Sequence, residues 1–302
     1  VVLGALIGLN EIVRRWRGAG WAFFIALPII LTIFVWPTTA GPGSSTGTWF
    51  HWVKVYSALA GCLGFMALRY HPKLAAKRWA LCFPPFILGL NILEACIRDF
   101  QVGAMNADGL VDDVHMVSGS WNYMNGIAGL LNLITICGWT GIIISRDSSK
   151  DMIWPDMLWF WIIAYVYNCV GDHSFYAGAA LLISCTIPAF FIKKGAWLQH
   201  RANTLAFWTM FTMAVPSFVT DSKFAVSASH SPTALFLVSA VALAANIAVF
   251  GYQIHRIRAQ KLHPLQDEIY TDHGSYQEVL SANINIPHTA SNVTDQHPLA
   301  MS

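Results

Sequence analysis

Apolar residues along this chain gather into nine stretches, at 1–13, 21–36, 48–68, 80–97, 121–144, 152–170, 176–192, 201–219 and 232–254, with short polar gaps between them. A hydrocarbon core about 30 Å thick takes about 20 helical residues, so most of these runs have the length of a crossing. Lipid offers no partner to a backbone amide, and the runs are too long and too evenly apolar for barrel strands. The pattern predicts an all-α integral membrane helical bundle of about nine transmembrane helices, the first one short or truncated.

The polar gaps divide by charge. Fifteen of the eighteen Lys and Arg residues fall in every second gap: Arg14, Arg15 and Arg17; Arg69, Lys73, Lys77 and Arg78; Arg146 and Lys150; Lys193, Lys194 and Arg201; Arg256, Arg258 and Lys261. Basic loops stay in the cytoplasm, so the alternation predicts an N-out/C-in topology. Eight spans with both ends inside fit the same charges if the first run does not cross. Trp21, Trp79, Trp154 and Trp197 mark inner boundaries and Trp36, Trp49, Trp52 and Trp121 outer ones, where an indole is half wet.

Composition strengthens the class and removes others. With 55% hydrophobic and 11% charged residues, the chain has more apolar surface than a soluble domain of its size buries. The net charge of +2 is spread over several loops, so no nucleic-acid partner is expected. The expected partner is the lipid bilayer, and the expected location a cell membrane, such as a bacterial inner membrane; an oligomer is not readable. The chain opens Val1-Val2-Leu3 without an initiator Met, which fits a first run that is cut short. Residues 1–261 form the expected transmembrane helical domain, and 262–302, which lack apolar runs and Lys or Arg, a flexible polar cytoplasmic tail. Cys62, Cys82, Cys96, Cys137, Cys169 and Cys185 all lie in apolar stretches without a C-x-x-C and read as buried thiols, with Cys96 to Cys169 the one bridge to consider.

Three basic residues, Lys54, Arg98 and Lys223, fall outside the basic gaps. Lys54 lies about 9 Å inside one end of the third run, and Glu94 about 21 Å above the other end of the fourth, so in a core of about 30 Å their heights coincide. An unpaired charge there costs at least about 2.5 to 3.5 kcal/mol, so the two are expected to pair or to face a wet cavity. Asn91, Glu94 and Arg98 share a helix face through i, i+3, i+7 spacing. Asn125 near the start of the fifth run and Asn168 and Asp172 at the end of the sixth fall at a similar level. Lys54, Glu94, Asn91, Arg98, Asn125, Asn168 and Asp172 are therefore the candidate substrate-binding residues of an outward-facing polar cavity. Simpler readings stand beside this one: Arg98, Asp172 and Lys223 as headgroup-level charges, Lys54 with Glu94 as a purely structural pair, Glu11 with Arg14 as an i, i+3 pair, and Asn132 and Asn246 as amides bonded to neighbouring helices.

Enzyme templates are missing from the sequence. There is no H-E-x-x-H, no G-x-S-x-G and no pair of His one turn apart, so no metal site is expected and no cofactor is assigned.

Taken together, Asn10-Glu11-x-x-Arg14-Arg15, Trp52-Val53-Lys54-Val55-Tyr56-Ser57, Asn91-Ile92-Leu93-Glu94-Ala95 and Trp121-Asn122-Tyr123-Met124-Asn125-Gly126 resemble a family of polytopic bacterial membrane proteins known only as a domain of unknown function. The resemblance implies a multi-pass membrane protein and no particular activity. The residues favour a transporter or channel for a small polar or charged solute. The alternatives are a membrane-embedded enzyme acting on a lipid or isoprenoid head group, with Glu94 or Asp172 and His173 as acid and base, and a membrane sensor or assembly subunit whose tail recruits a partner.

Overall fold

The computed structural model describes residues 1–111, 114–156, 175–225 and 230–284. It is mostly helical. Helix α1 covers Val2–Arg15, α2 Arg17–Thr39, α3 Trp49–Tyr70, α4 Phe83–Met105, α5 Ser120–Ile134, α6 Phe175–Phe191, α7 Trp197–Ala214, α8 Pro232–Gln260 and α9 Gly274–Ile284. Two short antiparallel pairs join Asp108–Val111 (β1) to Val114–Val117 (β2), and Ile143–Ile144 (β3) to Met152–Ile153 (β4). Helix α3 packs between α7 and α4, α4 against α5, and α5 against α8, while α1 lies on α6 and α7.

Among the described residues, Arg17–Thr39, Arg78–Met105 and Pro232–Gln260 are long and apolar enough to cross a membrane, three segments in place of the nine expected. The fifth run shows why. Its helix stops at Ile134 after 15 residues, about 22 Å of rise, and the chain turns through Gly138, at φ 62°, into strand β3. The start of the sixth run is strand β4 and a turn through Asp156, and its remainder, 157–170, lies outside the described residues. Helix α7 begins at Trp197, inside a gap expected to be polar loop, and buries Gln199, His200, Asn203 and Thr204. Polar contacts made by those side chains replace the apolar packing that defines a run from sequence.

Side chains on the outside are strongly apolar. In α2, Ile29, Ile30, Ile33 and Phe34 are exposed around Pro28, which lies between two wider π-helical turns, Ala22–Ala26 and Leu31–Val35. A proline has no N–H to give to the helix ladder, and a local π turn accommodates the missing bond. Helix α8 is built inside out: Phe236, Leu237, Val238, Val241 and Ile247 face outward, while four of its six buried residues, Ser239, Asn246, Gln253 and Arg256, are polar.

The gaps between helices meet at two ends. At one end, all five basic gaps converge: Arg14 on Asp151, Arg69 on the Ser149 and Lys150 carbonyls, Lys193 on Asp147, Lys194 on Glu278, and Arg256 on Asp272. At the other, Trp49 Nε1 donates to Gln101 Oε1 at 3.0 Å, Thr39 Oγ1 to the Met213 carbonyl at 2.6 Å, and the His115 and His230 rings stand 4.3 Å apart.

Part of the segment expected to be a loose tail is docked on the basic end. Ile269 and Tyr270 are buried with Cys137, and Val279, Leu280 and Ile284 of α9 pack on Ile143, Ile153 and Ala196. Composition misleads here because a few well-placed apolar side chains suffice once a preformed surface receives them. Residues 285–302 lie outside the described residues.

Candidate functional site

Helices α3 and α4 bring Lys54 and Glu94 together. The ammonium stands 2.9 Å from Glu94 Oε2, with each side chain 12% exposed. It also donates to the Asn91 carbonyl at 2.8 Å and lies over the Phe50 ring, 5.2 Å from its centroid. Ser57, one turn from Lys54, donates to Glu94 Oε2 at 3.2 Å. The charges thus neutralise one another in a setting that screens them poorly, and the spare lone pairs of the carboxylate find a hydroxyl. Asn91 points the same way, its Oδ1 at 3.4 Å from Lys54 Nζ and its Nδ2 donating to Ile87 O. Arg98 and Asp99, one turn further along α4, are half-buried and engaged. Asn168 and Asp172 lie outside the described residues.

Asn125 is carried by α5, a helix that lies on the other side of α4 from α3 and packs against α4 and α8. A Cβ placed on the neighbouring Gly126 would come within 2.6 Å of Phe100 Cζ, so α4 and α5 approach closely here because that residue is glycine. Asn122, Asn125 and Asn132 follow one another along α5 at i, i+3, i+10, one face, and each is almost wholly buried. Asn132 Nδ2 donates to Asn246 Oδ1 of α8 at 3.3 Å, and Asn246 Nδ2 to Ala242 O, the interhelical bonding expected of both amides. Yet Asn122 Nδ2, Asn125 Oδ1 and Asn132 Oδ1 have no hydrogen-bond partner among the described residues. Each such group left dry costs about 1–3 kcal/mol.

The basic end holds a buried polar network that sequence reasoning missed. Asp151, fully buried, accepts from Arg14 Nη1 at 2.7 Å, Gln199 Nε2 at 2.7 Å and Ser149 Oγ at 2.5 Å, with Arg69 Nη2 at 3.6 Å. Arg14 in turn holds Glu11, the expected i, i+3 pair, at 2.7 Å. Asn10 joins His200, 3.0 Å from Nδ1, to Asn203. Burial pushes the Asp151 carboxyl up, but Arg69 and Arg14 outweigh it and hold it below the usual carboxylate range. The only signal in the sequence was a run of small acids and serines in a gap too short to be a free loop.

Beside it, Asp156 receives the N–H groups of Ile269 and Tyr270, both at 2.8 Å, which pins the C-terminal segment. Glu268 lies next to Asp156 and presses on the turn at Gly141, where any Cβ would overlap its carboxyl. Burial and the neighbouring Asp156 push Glu268 well up, and burial pushes Asp156 up despite its two backbone donors. Two buried carboxyls in contact cannot both ionise, so the pair keeps a proton in the neutral range.

Helices that turn apolar sides outward and gather charges and amides inward define a helical protein compatible with insertion in a membrane. The chain belongs to DUF5692, a family of unknown function, whose model matches residues 1–282. The match covers the docked segment as well as the helices. No curated protein and no solved structure matches the chain.

Proposed function

We propose that this is a multi-pass membrane protein that binds and passes a small polar or charged solute, with Lys54 and Glu94 at the centre of the binding region, Asn91, Arg98, Asn168 and Asp172 around it, and Asn125, carried by α5, outside it. The observation that carries this reading is the Lys54–Glu94 pair itself: two opposite charges, each nearly buried, meet at 2.9 Å on neighbouring helices whose other faces are apolar. Such a pair is exchangeable, since a solute of either sign can replace one partner without leaving the other charge bare. Convergence of all five basic gaps at one end supports placing that end, and the docked segment, in the cytoplasm, with the first helix starting outside.

Uptake and ligand-induced thermal shift in Lys54→Ala and Glu94→Gln test the reading. The expected result is loss of both responses with the fold retained, at least tenfold weaker binding in each variant; a parental response in both rejects the proposed centre.

A further inference from the structure

Helices α5 and α8 pack along polar faces, and Asn132 of the one bonds to Asn246 of the other. Asn122, Asn125 and Asn132 line one face of α5, and Ser239, Asn246 and Gln253 line the buried face of α8 at i, i+7, i+14. A helix as apolar as α8 would be expected to bury its large aliphatic side chains against its neighbour, and it does the reverse. The row begins at Asn122, whose Oδ1 accepts from Gly119 N at the helix start, and passes the Asn132–Asn246 contact. It ends at Gln253, where Oε1 accepts from Tyr270 Oη at 3.3 Å. Tyr270 belongs to the docked C-terminal segment and is held there by Asp156, so one side chain closes the basic end of the row.

The unpartnered atoms specify what fits. Asn122 Nδ2 can only donate, and Asn125 Oδ1 and Asn132 Oδ1 can only accept, so a single kind of occupant must do both. The row carries no formal charge until Arg256, whose guanidinium is committed to the Ile269 carbonyl and Asp272. A neutral row that offers both a donor and acceptors takes water, which needs two to four such partners, and offers nothing to compensate an ion.

We propose that the α5–α8 contact is a hydrated path through the helical domain, entered at Asn122 and closed at its far end by Tyr270. This inference concerns other helices than the Lys54–Glu94 centre and goes beyond it. A water file on one side of α4 would let the helices beside the ion pair shift without exposing dry amides.

Thiol accessibility in intact vesicles tests it. Asn125→Cys is treated with a charged methanethiosulfonate, which reacts only with hydrated thiolates, and adducts are located by mass spectrometry so that the native thiols do not interfere. Ile127→Cys, on the exposed apolar side of α5, is the control. Modification at position 125 at least tenfold faster than at 127 is expected; equal rates overturn the path. Should Asn125→Cys fail to fold, Ala128→Cys, a small change at a fully buried position of the same face, gives the same comparison. Adding Tyr270→Ala is expected to raise reactivity at position 132 (Asn132→Cys) at least tenfold from the basic side; no change overturns closure by Tyr270. Solute uptake in these variants is scored separately, so a dry contact and a mistaken Lys54–Glu94 centre give different results.

Discussion

Arg14 Nη1 donates at 2.7 Å to Asp151 Oδ2, a wholly buried carboxylate 137 positions further along the chain. Arg69, reaching the same carboxylate and the Arg14 carbonyl at 2.6 Å, ties a third gap to the first two. One acid therefore holds together the ends of three helical segments that are far apart in sequence.

Asp151→Asn keeps the shape of the side chain and removes its charge, leaving Arg14 with Glu11 alone and Arg69 with carbonyl partners only. Breaking a buried pair from one side costs about 3–5 kcal/mol. Thermal unfolding in detergent is expected to show a clear fall in Tm, larger than for Glu11→Gln on the more exposed side of Arg14; an unchanged Tm would mean the network is incidental.

Acid should weaken the same end of the molecule. Burial works against ionisation of Asp147, but Lys193 and the hydroxyls of Ser149 and Ser145 bring its carboxyl down to about 2. A carboxyl depressed in the fold contributes stability that is present above its unfolded value of about 3.9 and is lost as pH falls toward the folded one. Tm followed from pH 5 to pH 2.5 is expected to drop less steeply in Asp147→Asn than in the parent, and parallel curves would contradict the assignment.

Base should act on the docked segment in the opposite sense. Asp156 and Glu268 are both pushed up in the docked state, Glu268 by burial and by Asp156, and Asp156 by burial, so docking is fully supported below the ordinary carboxylate range. That support is lost as pH rises from that range through the raised values. The neighbours facing the pair are Cys137, Asp267, Tyr270 and Tyr276, none of them a cation that would hold the charge. Hydrogen exchange at the Ile269 and Tyr270 amides is expected to quicken with pH beyond its intrinsic rise, and Glu268→Gln to flatten the excess; a parent without any excess would remove the acid pair as the cause.

The Lys54–Glu94 contact was legible because helical rise turns residue number into height, and two numbers on consecutive runs gave one level. Helix limits followed where side chains face outward, as in α2, α3 and α8. They failed at residues 135–156, where Gly138 and Gly141 allow a tight turn and Trp154 Nε1 bonds to the Gly138 carbonyl at 3.1 Å, so an apolar stretch folds back as a strand pair. Asp156 was hidden inside that stretch. Glu268 was hidden for the converse reason, since Ile269 and Tyr270 are too few to register as an apolar run yet are among the most buried residues of the molecule. In both cases the missing information was a partner more than a hundred positions away.

The backbone donors that satisfy Asp156 come from Ile269 and Tyr270, which leave the ribosome only after α1 to α8 have been made. Throughout synthesis the Asp156 carboxyl must therefore rely on water or a proton. Final closure of the basic end is a late event, and a nascent chain arrested before residue 268 would present an unfinished face to quality control.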